Sequence, residues 1–132
     1  MHLLTLHHVE DAKKQLQQIG SDPAGVEIMK EKAIFRVIYL SKVQTKAANL
    51  IKQTFLAKGG DAAVSRATAD LSAVYTDVMV FATLRQYRQA LRQLKMQPWG
   101  LRTIAEHMEA LLREEERKSR NLPEDSEIKS KI

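Results

Sequence analysis

Four basic residues in the second half of the chain are spaced like one face of a helix. They recur at intervals of three and four residues and are Arg85, Arg88, Arg92 and Lys95. Such a stripe is suited to the phosphates of RNA or DNA, or to an acidic protein surface. Acidic residues of the same chain, Glu106 and Glu109, are also close enough in sequence to neutralise it in a helical hairpin.

The surroundings of this stripe favour a solvated helix face over a nucleic-acid site. Neither an aromatic RNA-binding pattern nor a Gly-x-x-Gly clamp accompanies it. Charged stripes opposite an apolar face are also normal for surface helices. A second candidate interaction surface lies earlier in the chain, where Lys46, Asn49 and Gln53 share the outer side of a predicted helix.

No residue pattern in the chain indicates a catalytic or metal centre. The absence of cysteine excludes disulfides, zinc–thiolate sites and thiol nucleophiles. The four histidines lack the spacing of paired ligands on a helix. Asp61, Asp70 and Asp77 are candidates for acid–base chemistry, but aspartate is common at turns because it hydrogen-bonds nearby backbone. We therefore predict no catalytic residue, no metal and no cofactor.

Composition is typical of one globular domain. The chain has 132 residues and a net charge of +5, and residues 78–105 hold five basic residues and no acidic one. The N-terminal residues lack the basic and apolar regions of a signal peptide. No apolar run approaches the roughly 18 residues of a membrane span. We expect a cytoplasmic protein with no membrane contact.

Alternating and continuous apolar runs predict three strands, with a short fourth at the start. Residues 33–40 are rich in β-branched and aromatic residues on both faces, which predicts a central strand. Residues 62–66 and 74–81 give two more strands, and Leu3, Leu4 and Leu6 suggest a first one. The strand–helix–strand order over residues 33–66 predicts a parallel crossover.

Helical periodicity accounts for the remaining segments. Apolar stripes predict helices over residues 9–19, 45–58, 84–96 and from about residue 100 onward, with one further turn over 22–29. Thr83 and Gln86 have the spacing of a capping box. The last helix is expected to bury Leu101, Ile104, Ala105, Met108, Leu111 and Leu112. The order (β)αβαββαα predicts a small three- to four-stranded mixed sheet covered by helices.

We predict one α/β domain over residues 1–113. Residues 114–132 are rich in charge and poor in apolar residues, which predicts a frayed helix end followed by a disordered tail.

Several blocks of the sequence, in the same order, resemble a known family. The blocks lie at residues 22–26, 35–38, 46–53, 59–66, 81–87 and 95–101, and read DPAGV, FRVI, KAANLIKQ, GGDAAVSR, FATLRQY and KMQPWGL. They are similar to the extra N-terminal domain of long-form, clostridial-type bacterial dihydropteroate synthases. The resemblance covers residues from about Val9 to Leu112.

The resemblance implies an accessory domain of a folate-pathway enzyme. In that family the domain precedes a barrel that joins a pterin to p-aminobenzoate, and such a barrel needs about 250 residues. None of the barrel's pterin, pyrophosphate or p-aminobenzoate residues has a counterpart here. The implied partner is a dihydropteroate synthase barrel or another protein, and a homo-oligomer stays open. The alternative is a small nucleic-acid-binding module that uses the basic helix 84–96.

Overall fold

A computed structural model describes residues 1–121, and the side chains of residues 1–118. This part of the chain forms five α-helices and a three-stranded sheet. In chain order the elements are α1 (Val9–Gln18), α2 (Pro23–Lys32), β1 (Phe35–Gln44), α3 (Thr45–Ala57), β2 (Asp61–Val64), β3 (Tyr75–Thr83), α4 (Leu84–Leu94) and α5 (Leu101–Asn121), with a short 3₁₀ turn at Arg66–Thr68. The predicted disordered tail lies largely outside the described residues, and the helix expected to fray at residue 114 continues to Asn121.

The strand order in the sheet is β1-β3-β2. Both edge strands pair antiparallel with β3, so hydrogen-bonded neighbours are antiparallel throughout and the sheet is not mixed in its pairing. Strands β1 and β2 therefore run in the same direction, as the crossover predicted, but β3 lies between them. The α/β class and the three strands are confirmed.

Two strand predictions were wrong. Strand β1 is an edge strand and not the central one, because β3 takes the position between β1 and β2. Its outward side chains are exposed, since the helices cover only the opposite face. Leu3, Leu4 and Leu6 form no strand. Leu6 instead packs with α1 against a small cluster around Ala12 and Ile34, which gives this segment an apolar contact without a sheet partner.

The main core lies between the inner face of the sheet and helices α3, α4 and α5. The sheet contributes alternating inward side chains, among them Ile38, Val78 and Val80. The helices contribute the apolar stripes predicted from their spacing, including Phe55 of α3 and Tyr87 of α4. These two rings meet edge to face with centroids 5.3 Å apart.

Local signals place α4 and most of α5 as predicted. The Thr83 hydroxyl accepts a hydrogen bond from the Gln86 amide at 3.2 Å, and the Gln86 side chain accepts one from the Thr83 amide at 2.8 Å. This capping box begins α4 directly after β3.

In α5, the prediction for Leu111 was wrong, because its side chain is 58% exposed. The inward stripe continues from Met108 to Leu112 instead.

The C-terminal half of α5 is tied to the start of the chain. Glu116 accepts a hydrogen bond from the Val9 amide at 3.0 Å, which satisfies one free N–H at the beginning of α1. Its other carboxylate oxygen is 3.1 Å from the Arg36 guanidinium, which also donates to the His7 carbonyl. Glu116 therefore joins α1, β1 and α5.

We predict that Glu116→Gln lowers the free energy of unfolding by about 1–2 kcal/mol, because a charge-assisted bond to a mostly covered arginine is lost. Urea denaturation measures the change. The matched control is Glu114→Gln, which disrupts only an exposed pair with Arg117 and should cost less than about 0.5 kcal/mol. Equally small effects of the two substitutions would contradict a stabilising role for the contacts of Glu116.

We predict a second effect at Tyr87, whose hydroxyl donates to the carbonyls of Arg36 at 2.9 Å and Val80 at 3.2 Å. Burial raises the pKa of Tyr87 well above its ordinary value of 10.0. The unfolded chain therefore loses this proton first as the pH rises above 10.0, and the stabilisation declines. Tyr87→Phe should cost about 1 kcal/mol at neutral pH.

Above the ordinary tyrosine pKa, unfolding free energy should also fall less steeply in Tyr87→Phe than in the wild type. Denaturant titrations at several alkaline pH values measure the two slopes. Tyr75→Phe, at an exposed position of β3, is the matched control and should keep the wild-type slope. Identical slopes for all three proteins would contradict the assignment of Tyr87 as a buried, neutral phenol.

Candidate functional site

The basic residues of α4 form a face on the described structure, but part of its charge is already paired. Arg88 binds Glu31 of α2 through its Nε, 2.9 Å from Oε1, and through Nη2. This contact raises the pKa of Arg88 above its usual value. Lys95 is 2.6 Å from Glu109 of α5, which confirms the intramolecular neutralisation suggested by the sequence for that residue.

Arg85 and Arg92 differ from the other two. Among the described residues, neither has a carboxylate within 4.0 Å. Arg92 lies in the last turn of α4, where a cation interacts favourably with the carbonyl end of the helix. The part of the basic face that is available to a partner therefore centres on these two arginines.

The second candidate surface, on α3, is also partly used within the fold. The Asn49 amide donates to the Thr68 carbonyl at 3.1 Å and holds the 3₁₀ turn against the helix. The Lys46 ammonium lies 5.9 Å from the centre of the Trp99 ring, within the range of a cation–π contact. Gln53 is exposed. Only Gln53 of this set therefore lacks a described role inside the domain.

Two neighbouring clefts at one end of the sheet were not predicted from the sequence. They have volumes of about 340 and 430 Å³ and share Gln44 and Trp99 in their walls. We refer to them as the Trp99 clefts. Lys42 and His107 border the first, and Leu71 borders the second.

The backbone around the Trp99 clefts is unusual. The non-glycine residues with positive φ in the described chain are Lys42, Leu71 and Trp99, with values of 53°, 59° and 59°. Residues other than Gly, Asn and Asp adopt a positive φ only at an energetic cost. Residues in such conformations concentrate at functional sites. The sequence signal for these clefts is the segment Pro98-Trp99-Gly100, which places the single tryptophan of the chain between a proline and a glycine.

A third cleft, of about 350 Å³, lies between α1, α2, α4 and α5. Its apolar wall includes Leu84, Tyr87 and Leu91, and the Arg88–Glu31 pair borders it. The basic face and this cleft therefore share Arg88. The charge of Arg88 is balanced by Glu31, so the cleft carries no uncompensated positive charge from that residue.

The three aspartates considered for acid–base chemistry have local structural partners. Asp61 accepts from the Ala62 amide at 2.7 Å and from Lys52 at 3.1 Å, and Asp70 accepts from the Ser72 amide at 3.0 Å. Asp77 accepts from the Tyr39 hydroxyl and the Lys42 amide. These contacts lower the pKa of each carboxyl, chiefly through the Ala62 amide, the Ser72 side chain and the Tyr39 hydroxyl respectively.

Within residues 1–121, no three histidine or carboxylate side chains cluster closely enough to hold a metal ion. In the same part of the chain, every helix is too short or too polar to cross a lipid bilayer.

The fold and surfaces define a two-layer α/β domain with one basic helix face, and comparisons relate it to parts of larger proteins. The chain is 32% identical over 96 residues to a probable bifunctional folylpolyglutamate synthase/dihydropteroate synthase of Halobacterium salinarum. It is 25% identical over 101 residues to a bifunctional dihydropteroate synthase/dihydropteroate reductase of Helicobacter pylori. The matches cover 73% and 76% of this chain. No family model and no solved structure matches the chain.

The chain spans only 12% and 27% of the lengths of these two relatives. It is therefore related to one region of dihydropteroate synthase-containing proteins. The folate-related part of the expected resemblance is confirmed, whereas the type of accessory domain stays a proposal.

Proposed function

We propose that this chain is an accessory domain of folate biosynthesis that acts beside a dihydropteroate synthase barrel and is not catalytic alone. The observation that carries the proposal is the length of each relative that lies outside the match. The 101 matched residues are 27% of the Helicobacter protein, so about 270 residues lie outside the match. That remainder is large enough for a barrel, which needs about 250 residues.

The Halobacterium relative supports the same interpretation. Its 96 matched residues are 12% of the protein, which leaves room for both synthases in its name. Two relatives with different second activities thus share a segment of about 100 residues, smaller than a barrel by more than half. A cytoplasmic location belongs to this proposal and agrees with a chain that contains no cysteine.

We assign docking to the α4 face, with Arg85 and Arg92 as its available charges and an acidic surface of the barrel as its partner. Arg88 and Lys95 support the face structurally, because their charges are held by Glu31 and Glu109. The same pairing weakens the nucleic-acid alternative, since fewer cations remain to replace counterions along a phosphate backbone. The second docking surface of the proposal consists of Gln53 together with Lys46 and Asn49, each of which also contacts a residue of this domain.

We predict that the purified chain binds a dihydropteroate synthase barrel from the same organism and that Arg85→Glu/Arg92→Glu weakens this binding at least tenfold. Reversing two charges in a complementary interface adds repulsion where attraction was present. Isothermal titration calorimetry at low and high salt measures the affinity.

The charge-matched control is Lys14→Glu/Lys32→Glu, at exposed positions of α1 and α2. It changes the net charge equally and should leave the affinity within about twofold, allowing for long-range screening at moderate salt. No binding by the wild-type chain, or equal weakening by both double variants, would contradict docking through α4. Tighter, steeply salt-dependent binding to RNA would support the nucleic-acid alternative instead.

A second candidate function is the reductase activity that the name of the Helicobacter relative carries. The observation that favours it is again length, because after a barrel is allotted to the synthase, the region that matches this chain is the main part left. Reduction of a dihydropterin needs a hydride for a ring carbon and a proton for the adjacent nitrogen. A reduced nicotinamide or flavin would have to supply the hydride.

The Trp99 clefts are the place on this chain best suited to a flat ring. The indole offers an aromatic surface, and Gln44 offers an amide that can donate and accept hydrogen bonds. Positive φ at three residues around the clefts is a backbone cost that a binding function would explain.

We predict for this second candidate that the chain, given dihydropteroate and reduced nicotinamide or flavin, forms the tetrahydro product, and that Trp99→Ala lowers the rate at least tenfold. Mass spectrometry of the product measures it, and quenching of the only tryptophan follows binding directly. Met96→Ala, an exposed residue outside the clefts, is the control and should keep the wild-type rate. Absence of product with either donor would reject the reductase and leave the accessory role.

A further inference from the structure

The outer face of the sheet is largely apolar, and no helix among residues 1–121 lies over it. Its apolar outward side chains come from β1 and β3 and are Phe35, Val37, Tyr39, Tyr75, Met79 and Phe81. Two acidic residues share the face, Asp77 of β3 and Asp61 of β2. We call this surface the open face. Antiparallel sheets often leave one face in water, but such a face normally carries polar side chains. The outward residues here are instead mostly apolar.

The apolar residues of the open face are contiguous across the strands. Val37 of β1 lies opposite Phe81 of β3, and Tyr39 lies opposite Met79. Ala63 of the other edge strand extends the second row, because it pairs with Met79 on its opposite side. Side chains opposite each other on one sheet face are in contact range. Val37, Tyr39, Met79 and Phe81 therefore form one apolar patch, and Asp77 separates Tyr75 from it along β3.

Charges at the margin of the open face are balanced. Asp77 and Lys42 lie where β1 bulges. The Asp77 carboxylate accepts from the Lys42 backbone amide at 2.9 Å, and the Lys42 ammonium lies 5.2 Å from the centre of the Tyr75 ring. Asp61, at the β2 edge, is 3.1 Å from the Lys52 ammonium. The formal charges of Asp77, Lys42, Asp61 and Lys52 cancel, so these residues give the open face no net charge that would oppose a second copy. The basic face of α4, by contrast, would repel a copy of itself.

The exposed area is near what a small homodimer needs. The exposed fractions are 55% for Phe35, 49% for Val37, 58% for Tyr39, 48% for Tyr75 and 37% for Met79. Because a free aromatic residue offers roughly 200 Å², these residues together with half-buried Phe81 present roughly 500 Å². Two such faces bury about 1,000 Å² in total, the lower limit of a specific interface.

We propose that the open face binds a second copy of this chain, sheet against sheet. Packed sheets lie about 10 Å apart with interleaved side chains, and a two-fold axis would bring identical patches together. Since β3 is the middle strand, the axis passes near Met79. The modest area gives a dimer that dissociates on dilution, and the α4 faces remain outside the contact for other partners.

Sedimentation velocity over a wide concentration range tests the dimer. The wild-type chain should shift from the mass of one chain to that of two as its concentration rises. Val37→Lys/Met79→Lys should remain monomeric at the highest concentration, because four buried ammonium groups would face one another in the interface. Gln53→Lys/Gln89→Lys, at exposed helix positions on α3 and α4, is the charge-matched control and should dimerise like the wild type.

A second measurement does not depend on the folding of the lysine variant. The chain has no cysteine, so Met79→Cys introduces a single thiol near the proposed axis. A bis-maleimide with a reach of about 10 Å should join two such chains efficiently, whereas Gln53→Cys on α3 should not be joined. A wild-type chain that stays monomeric, a dimer that survives Val37→Lys/Met79→Lys in folded form, or equal cross-linking at both positions would overturn the proposal.

Discussion

The contact between Tyr87 and the sheet is the interaction on which the rest of the fold depends. Its ring packs against Phe55 and joins α4 to α3, while its hydroxyl donates to carbonyls of β1 and β3. One side chain thus connects both strands to the helical layer. This phenol is buried, so its ring packs in the apolar core while its hydroxyl needs hydrogen-bond partners at the same place. The helical layer is fixed to one face of the sheet by this arrangement, and the other face is left open.

Most of the charged residues that attract attention in the sequence organise the domain itself. Glu31 and Glu109 hold Arg88 and Lys95, and Glu116 binds both Arg36 and the first amide of α1. Exposed ion pairs contribute little to stability, so the partly covered contact of Glu116 matters more than the surface pairs. The consequence for function is that a stripe of four cations offers two to a partner. This is why we propose a protein surface with a few carboxylates, and not a polyanion, as the partner of that face.

The similarity to regions of two larger folate enzymes gives these surfaces a context. The accessory role that we propose would need surfaces for contact, and the structure has two of different character. The α4 face is charged and sensitive to salt, whereas the open face of the sheet is apolar and balanced in charge. Surfaces so different can bind different partners without competition, because neither covers the other in the described fold. The strained backbone around Trp99 is a third feature, and it lies at the end of the sheet beside the bulge of β1.

The sequence by itself determined most of the helices and the three strands, because periodicity and capping are local. The stripe of α4, its Thr83–Gln86 capping box and the apolar face of α3 were all predicted from neighbouring residues. The tertiary structure alone decided which strand is central. An apolar run such as residues 33–40 indicates burial on both faces, but an edge strand beside an uncovered face has the same composition. Chain topology also decides which distant residues meet, and short-range spacing does not encode it. Arg88 pairs with Glu31, 57 residues away, and Lys42, Leu71 and Trp99 meet at one end of the sheet.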